Sequence, residues 1–292
     1  MAERTVRANG IEIWCEDFGS RRDPALLLVM GAGGQGILWP DDFCAGLAAA
    51  GRYVIRYDNR DTGQSTCVDF AKSPYTLGDM ARDAVGLLDA LEVERAHVAG
   101  ASMGGMIAQT LALEHPGRLR TLTSIMSSPL GRSGMEGILN PAAAKLPGPA
   151  PKVMEVLQAG MASPPRTREE RIAQAVRLWR ALAGSGEPFD EAAVREREAR
   201  VFARAKDPDA SQNHQLAIGA SPDRTDALRG VRIPALVIHG SDDPILPLAH
   251  GRATAEAIPG AKLLVIEGMG HDIPAKAAKR IAQAIVEHTA GA

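Results

Sequence analysis

Apolar positions along the chain recur with two alternating periods. Ile11–Phe18 alternates apolar and polar residues, the pattern of a half-buried strand. Ala25–Met30 reads ALLLVM, a continuous apolar run suited to a strand covered on both faces. Tyr53–Tyr57, His97–Ala101, Leu119–Met126, Pro234–His239 and Ala261–Ile266 are further short β-rich runs. Between them the spacing lengthens to that of helices. Asp41–Ala50 is stopped by Gly51, and Thr76–Leu91 carries Leu77, Met80, Ala84, Leu87, Leu88 and Leu91 at helical intervals. Met103–Glu114, a stretch near Leu248–Ala257 and Ala275–Thr289 complete the set. Alternating strand and helix predicts an α/β fold with a mostly parallel sheet flanked by helices. From Pro129 to Pro222 the rhythm breaks. No strong strand occurs there, and Val153–Met161, Arg168–Leu182 and Glu191–Lys206 have helical spacing. The expected organisation is a core of residues 1–128 and 223–292 with a helical cap inserted at 129–222.

The chain has 292 residues, 45% of them hydrophobic, and 33 Lys+Arg against 35 Asp+Glu for a net charge of −2. Such a chain can bury a large core. The near-neutral balance argues against nucleic acid, which asks for a clustered basic face. No apolar run approaches the roughly 20 residues that span a bilayer. Met1–Gly10 is polar and mixed in charge, unlike a signal peptide. Cys15, Cys44 and Cys67 are odd in number, far apart and without a CxxC pair, so neither a zinc site nor a disulfide framework is expected. They read as buried or half-exposed thiols in a reducing cytoplasm. The expectation is a cytoplasmic monomer or homodimer with no metal and no cofactor.

Gly100-Ala101-Ser102-Met103-Gly104 fits G-x-S-x-G at the junction of a predicted strand and a predicted helix, the setting that motif requires. A serine on so sharp a turn needs small residues two positions either side, because Cβ atoms there would collide. Ser102 is the candidate nucleophile. Its alternative role is a helix N-cap.

A serine hydroxyl needs a neighbour to take its proton. His271, in Gly268-Met269-Gly270-His271 just past the last predicted strand, has the position for that base. His97 starts a strand at the opposite edge, His115 precedes Pro116 at a helix end, and His214 falls in the insertion. His239 ends a strand as an edge residue, while His250 and His288 read as solvated helix positions. The carboxylate that orients the imidazole lies in Ser241-Asp242-Asp243, where the spacing alone leaves both aspartates open.

Two backbone N–H groups should hold the developing oxyanion: that of Met103, directly after the nucleophile, and that of Ala32 in the glycine-rich loop Gly31–Gly36. The loop imitates a phosphate-binding G-x-G-x-x-G only weakly. It runs into Ile37-Leu38-Trp39-Pro40, which opens no helix, and no Walker lysine follows.

These motifs together resemble the α/β-hydrolase fold superfamily over nearly the whole chain. The matching stretches are Met30–Gly33, Asp58-Asn59-Arg60-Asp61-Thr62-Gly63-Gln64-Ser65, Gly100–Gly105, Gly240–Asp243 and Gly268–His271. Within it, the VMGAGG…WPDDF and RYDNRDTGQST segments resemble the aclacinomycin methylesterase family. Met30, where a histidine is common, and Asp61-Thr62, where a glycine turn is common, depart from the wider pattern in the manner of that subgroup. The resemblance implies Asp243 as the acid, from the H-G-x-x-D pattern, and the order Ser102, Asp243, His271. It implies hydrolysis of a carboxylic ester by way of an acyl-enzyme, with a polyketide-type methyl ester as the nearest named substrate. Lactonase or cofactor-free perhydrolase chemistry on the same residues, or a ligand receptor without turnover, are the alternatives.

Gly31, Gly33, Trp39, Trp179 and Met269 are the expected pocket residues for a hydrophobic small-molecule ester. Leu178, Leu182, Phe189, Val194 and Phe202 are further candidates, most of them expected to pack the insertion's own core. The Arg-rich stretch Arg166–Arg204 is interleaved with Glu169, Glu170, Glu191, Glu196 and Glu198, which predicts a solvated helix face.

Overall fold

The computed structural model describes residues 2–291, so the expected outer bounds at Met1 and Ala292 lie outside the described residues. Eight strands form one sheet: β1 (Ala2–Ala8), β2 (Ile11–Phe18), β3 (Ala25–Val29), β4 (Tyr53–Tyr57), β5 (Ala96–Ala101), β6 (Leu119–Ile125), β7 (Ala235–Gly240) and β8 (Lys262–Ile266). Their spatial order is 1-2-4-3-5-6-7-8. β2 is antiparallel to β1 and β4, and every other pairing is parallel. Parallel neighbours need crossovers. These are α1 (Asp41–Ala49), α2 (Leu77–Ala90) and α3 (Met103–Glu114) early in the chain. After β6 come five helices in succession: α4 (Arg132–Leu139), α5 (Pro151–Ala162), α6 (Arg168–Leu182), α7 (Glu191–Arg204) and α8 (Asn213–Ala220). The chain then returns to the sheet at β7, with α9 (Ala249–Ala257) before β8 and α10 (Ala275–Thr289) after it.

The continuous apolar runs follow from burial on both faces of the sheet. In β3, Leu27 and Val29 enter one apolar layer with Leu77, Met80, Leu87, Ile107 and Leu111. Leu26 and Leu28 enter the opposite layer with Phe43, Leu47, Ile281 and Ile285. Each such buried side chain is worth about 2 kcal/mol of transfer free energy. Among the described residues no helix is long and apolar enough to cross a membrane.

Three departures from the sequence reading have plain causes. β1 is a strand although its residues are mostly polar, because it is the sheet's edge and faces solvent. Asn9 and Gly10, both at positive φ, turn it into β2. α8, inside the expected insertion, packs Ala217 and Ile218 into the first apolar layer of the core. His250 is buried rather than solvated, with Nδ1 2.8 Å from Ser128 Oγ and Nε2 2.9 Å from the Pro147 carbonyl.

Candidate active site

Ser102 stands where β5 gives way to α3, with φ 54° and ψ −120°. A side-chain-bearing residue is strained there. The surroundings enforce it. A Cβ on Gly100 would overlap the Gly104 carbonyl oxygen, and a Cβ on Gly104 would overlap the Val29 carbonyl oxygen. The Ser102 N–H donates to the Ile125 carbonyl at 2.9 Å, and Ser127 Oγ donates to the Ser102 carbonyl at 2.7 Å. Ser102 itself is only partly buried, so its hydroxyl is reachable.

His271 Nε2 lies 2.9 Å from Ser102 Oγ, and His271 Nδ1 lies 2.7 Å from Asp243 Oδ2. Asp243 is held from its other oxygen, which accepts the Ile245 and Leu246 N–H groups at 3.0 and 2.9 Å. Burial alone would raise its carboxyl, but His271, His239 and the Leu246 N–H outweigh that and hold it below the ordinary carboxylate value. An alcohol, an imidazole and a carboxylate linked in this order can pass the alcohol proton to the imidazole. Asp242, the rival acid, points elsewhere: its Oδ2 accepts the Ser185 N–H at 3.1 Å and the Ser185 hydroxyl. His239 donates from Nε2 to the Leu246 carbonyl at 2.7 Å, a packed edge role.

The glycine-rich loop faces the same spot. A Cβ on Gly31 would lie 3.1 Å from Ser102 Cβ. The Gly33 N–H donates to His214 Nδ1, the Gly34 N–H to the Gly31 carbonyl and the Gly36 N–H to Asp58 Oδ1. Among the described residues neither the Ala32 nor the Met103 N–H donates to a protein acceptor. Asn59 Nδ2 braces the loop at the Met30 carbonyl, 3.1 Å away. Asp58 is fully buried and takes Arg204 Nη1 of α7 at 2.6 Å. Burial pushes the Asp58 carboxyl up, against Arg204 and two backbone N–H groups that pull it down.

Arg204 also stacks over Trp14, 3.8 Å from the ring centroid, and Arg197 lies over Trp179 at 4.3 Å. These two arginines are therefore exceptions to the solvated face expected of α6 and α7. Arg171 and Arg180 keep to it, pairing with Asp209 and Glu191 at the surface.

The insertion grips the histidine loop directly. The His271 N–H donates to the Leu182 carbonyl at 2.8 Å, and the Gly186 N–H to the Gly268 carbonyl at 2.9 Å. Two clefts lie near these segments, with Ser102, Asp243 and His271 in the walls of neither. One of about 930 Å³ is lined by Met30, Leu38, Met126, Trp179, Arg197 and Asp272. The other, of about 880 Å³, has Gly33, Leu157, Ile172, Leu178, Val201 and Phe202 among its walls. Trp179 and Gly33 thus face open space. Trp39 does not: it is fully buried and stacks on Phe43 at 5.4 Å, because α1 presses it into the second apolar layer. Met269 is also withdrawn into that layer; its N–H donates to the Ile266 carbonyl at 3.3 Å and its carbonyl accepts the Asp242 N–H at 3.0 Å. Both are core residues, not pocket walls.

His214 and Asp58 are site-building residues that sequence reasoning passed over. Asp58 lay inside a quoted motif but carried no role, and nothing near His214 in sequence signals its partners.

The fold and this geometry define an α/β hydrolase. Residues 24–277 match the family described as alpha/beta hydrolase fold, and the chain belongs to that family. Rhodomycin D methylesterases from Streptomyces sp. (strain C5) and Streptomyces peucetius are each 37% identical to it over 297 residues, spanning 100% of this chain and 99% of theirs. A putative carbamate hydrolase of Pseudomonas syringae pv. syringae (strain B728a) is 30% identical over 85% of this chain and 86% of its own. Among solved structures, the enol-lactonase from Burkholderia xenovorans LB400 superposes with a TM-score of 0.76 at 24% identity, covering 98% of this chain and 99% of its own. A thermophilic esterase from Thermogutta terrifontis gives 0.72 at 24% identity, with 98% and 97% covered. At that identity the structural likeness establishes the fold alone.

Proposed function

We propose that this protein is a carboxylic ester hydrolase that uses Ser102 as nucleophile, His271 as base and Asp243 as orienting acid. Its substrate in this reading is the methyl ester, or another small-alcohol ester, of a large hydrophobic, polyketide-like acid. The observation that carries the mechanism is the unbroken hydrogen-bonded path from Ser102 Oγ through both ring nitrogens to Asp243 Oδ2, at 2.9 and 2.7 Å. The full-length likeness to two rhodomycin D methylesterases supports the substrate class.

The chemistry follows from the geometry. His271 Nε2 takes the Ser102 proton as Oγ attacks the ester carbonyl. The negative charge that develops on the carbonyl oxygen meets the Ala32 and Met103 N–H groups, each worth about 3 kcal/mol of barrier. The imidazolium, stabilised by Asp243, returns its proton to the leaving alcohol. Water, activated by the same imidazole, then cleaves the acyl-enzyme. The insertion over 129–222 acts as the cap, and its α6 and α7 supply the apolar walls that exclude water from the acid portion of the substrate.

Assaying wild type and Ser102→Ala on methyl, aryl and lactone esters tests this. The expected result is turnover of a bulky methyl ester by wild type and a loss of at least a thousandfold in Ser102→Ala. Retention of more than a tenth of wild-type activity by Ser102→Ala would overturn the mechanism. Preference for lactones over every open-chain ester would overturn the substrate class.

A further inference from the structure

We propose that His214 is a positioning residue for the oxyanion loop, a role that rests on the ester-hydrolase reading above and deepens it. By taking up the Gly33 N–H, its neutral ring leaves the Ala32 N–H as the loop's donor to the substrate.

His214 is carried by α8 and is fully buried, 181 residues along the chain from its partner Gly33. Its Nδ1 is 3.0 Å from the Gly33 nitrogen, and its Nε2 is 2.8 Å from the Arg60 carbonyl oxygen. An amide can only donate and a carbonyl can only accept, so the ring must be neutral with its proton on Nε2. Both ends of this bridge are parts of the site. Gly33 follows the Ala32 donor, and Arg60 follows Asn59, whose amide holds the Met30 carbonyl. The ring therefore clamps the glycine-rich loop to the Asp58–Ser65 turn, at a point where Gly33 adopts φ +71°.

With Gly33 satisfied by His214, Gly34 by Gly31 and Gly36 by Asp58, the loop amides without a protein acceptor are those of Gly31, Ala32 and Gln35, and of these only Ala32 is an exposed residue open to a ligand oxygen. A protonated ring would set N–H against N–H at Gly33 and release the loop. Burial disfavours that cation, and of the charged groups facing the ring Asp61 favours it while Arg60 opposes it.

The test compares His214→Leu with His214→Asn, whose side-chain oxygen stands near the Nδ1 position. Active sites are counted by fluorophosphonate labelling run to completion, and kcat and KM are measured per labelled site on one ester. His214→Leu is expected to lose at least tenfold in kcat with KM within threefold of wild type, and His214→Asn to recover most of that loss. Wild-type kcat per site in His214→Leu, whatever its Tm, overturns the proposal. Should the Leu variant fail to fold, His214→Gln replaces it: its oxygen reaches the Nε2 position instead, so a kcat equal to or above that of His214→Asn overturns the proposal. A wild type that neither labels at Ser102 nor turns over any ester sinks the underlying reading separately.

Discussion

Gly184 of the insertion and Gly270 of the histidine loop meet backbone to backbone, so closely that a Cβ on Gly270 would overlap the Gly184 nitrogen and the Leu182 carbonyl oxygen. The α6–α7 loop of the insertion thus packs directly on the backbone that carries the proposed base. Gly270→Ala cannot be absorbed by a flexible side chain, since both obstacles are main chain. The expected outcome is a stability loss of about 3 kcal/mol in chemical denaturation and a kcat reduced at least tenfold in the folded fraction. Wild-type kcat in that variant would show that the cap and the base are not mechanically linked.

The two adjacent aspartates separate cleanly. Asp243→Asn removes the charge that stabilises the imidazolium and should lower kcat by roughly 10⁴-fold. Asp242→Asn touches only the bonds to Ser185 and Ser241, so kcat should stay within about threefold while Tm falls by a few degrees. Steady-state kinetics on both variants decide it, and a larger loss in Asp242→Asn would reverse the assignment.

Ser102 holds a conformation that suits glycine, with φ 54°. Ser102→Gly should therefore be inactive yet more stable than wild type by about 1 kcal/mol, after the lost hydrogen bond to His271 is set against the relieved strain. Calorimetry of the two proteins reads this directly, and a lower Tm in the variant would mean that the elbow stores no strain.

Asp272 follows the catalytic histidine of this reading, and burial pushes its carboxyl up to about 6 from an ordinary 3.8, with His271 and Arg197 pulling the other way. A carboxyl that binds its proton more tightly when folded adds stability that is complete at low pH and disappears as pH rises through the folded value. Asp272→Asn should accordingly match wild type near pH 4 and exceed it at pH 8. The full shift is worth about 3 kcal/mol, and screening of the partly exposed carboxyl lowers the expected gain to roughly 1–2 kcal/mol. Urea titrations at both pH values check it; a variant less stable than wild type at pH 8 contradicts the sign.

The parallel strands were legible because burial on both faces leaves an unbroken apolar run, as in Ala25–Val29. The meeting of Ser102, Asp243 and His271 was legible because a strand–turn–helix and two post-strand loops bring those residues to one sheet edge. β1 escaped notice because an exposed edge strand needs no apolar face, although Asn9-Gly10 announces its hairpin. Trp39 and Met269 were misjudged for the opposite reason: neighbours of a site in sequence can turn inward, and only the packing of α1 and α10 shows that they do. His214 and His250 look alike in sequence to any helix histidine. Their partners, Gly33 and Arg60 for one and Ser128 and Pro147 for the other, lie on segments that only the folded chain brings near.

Gly100 and Gly104 abut main-chain carbonyls, whereas the walls of the 880 Å³ cleft come largely from the insertion, whose α7 has no fully buried residue. Under the proposed function, reaction and recognition thus occupy parts of the molecule with opposite tolerance to change. A library aimed at new ester preferences has a natural boundary: diversify α5 to α7, and leave the elbow untouched.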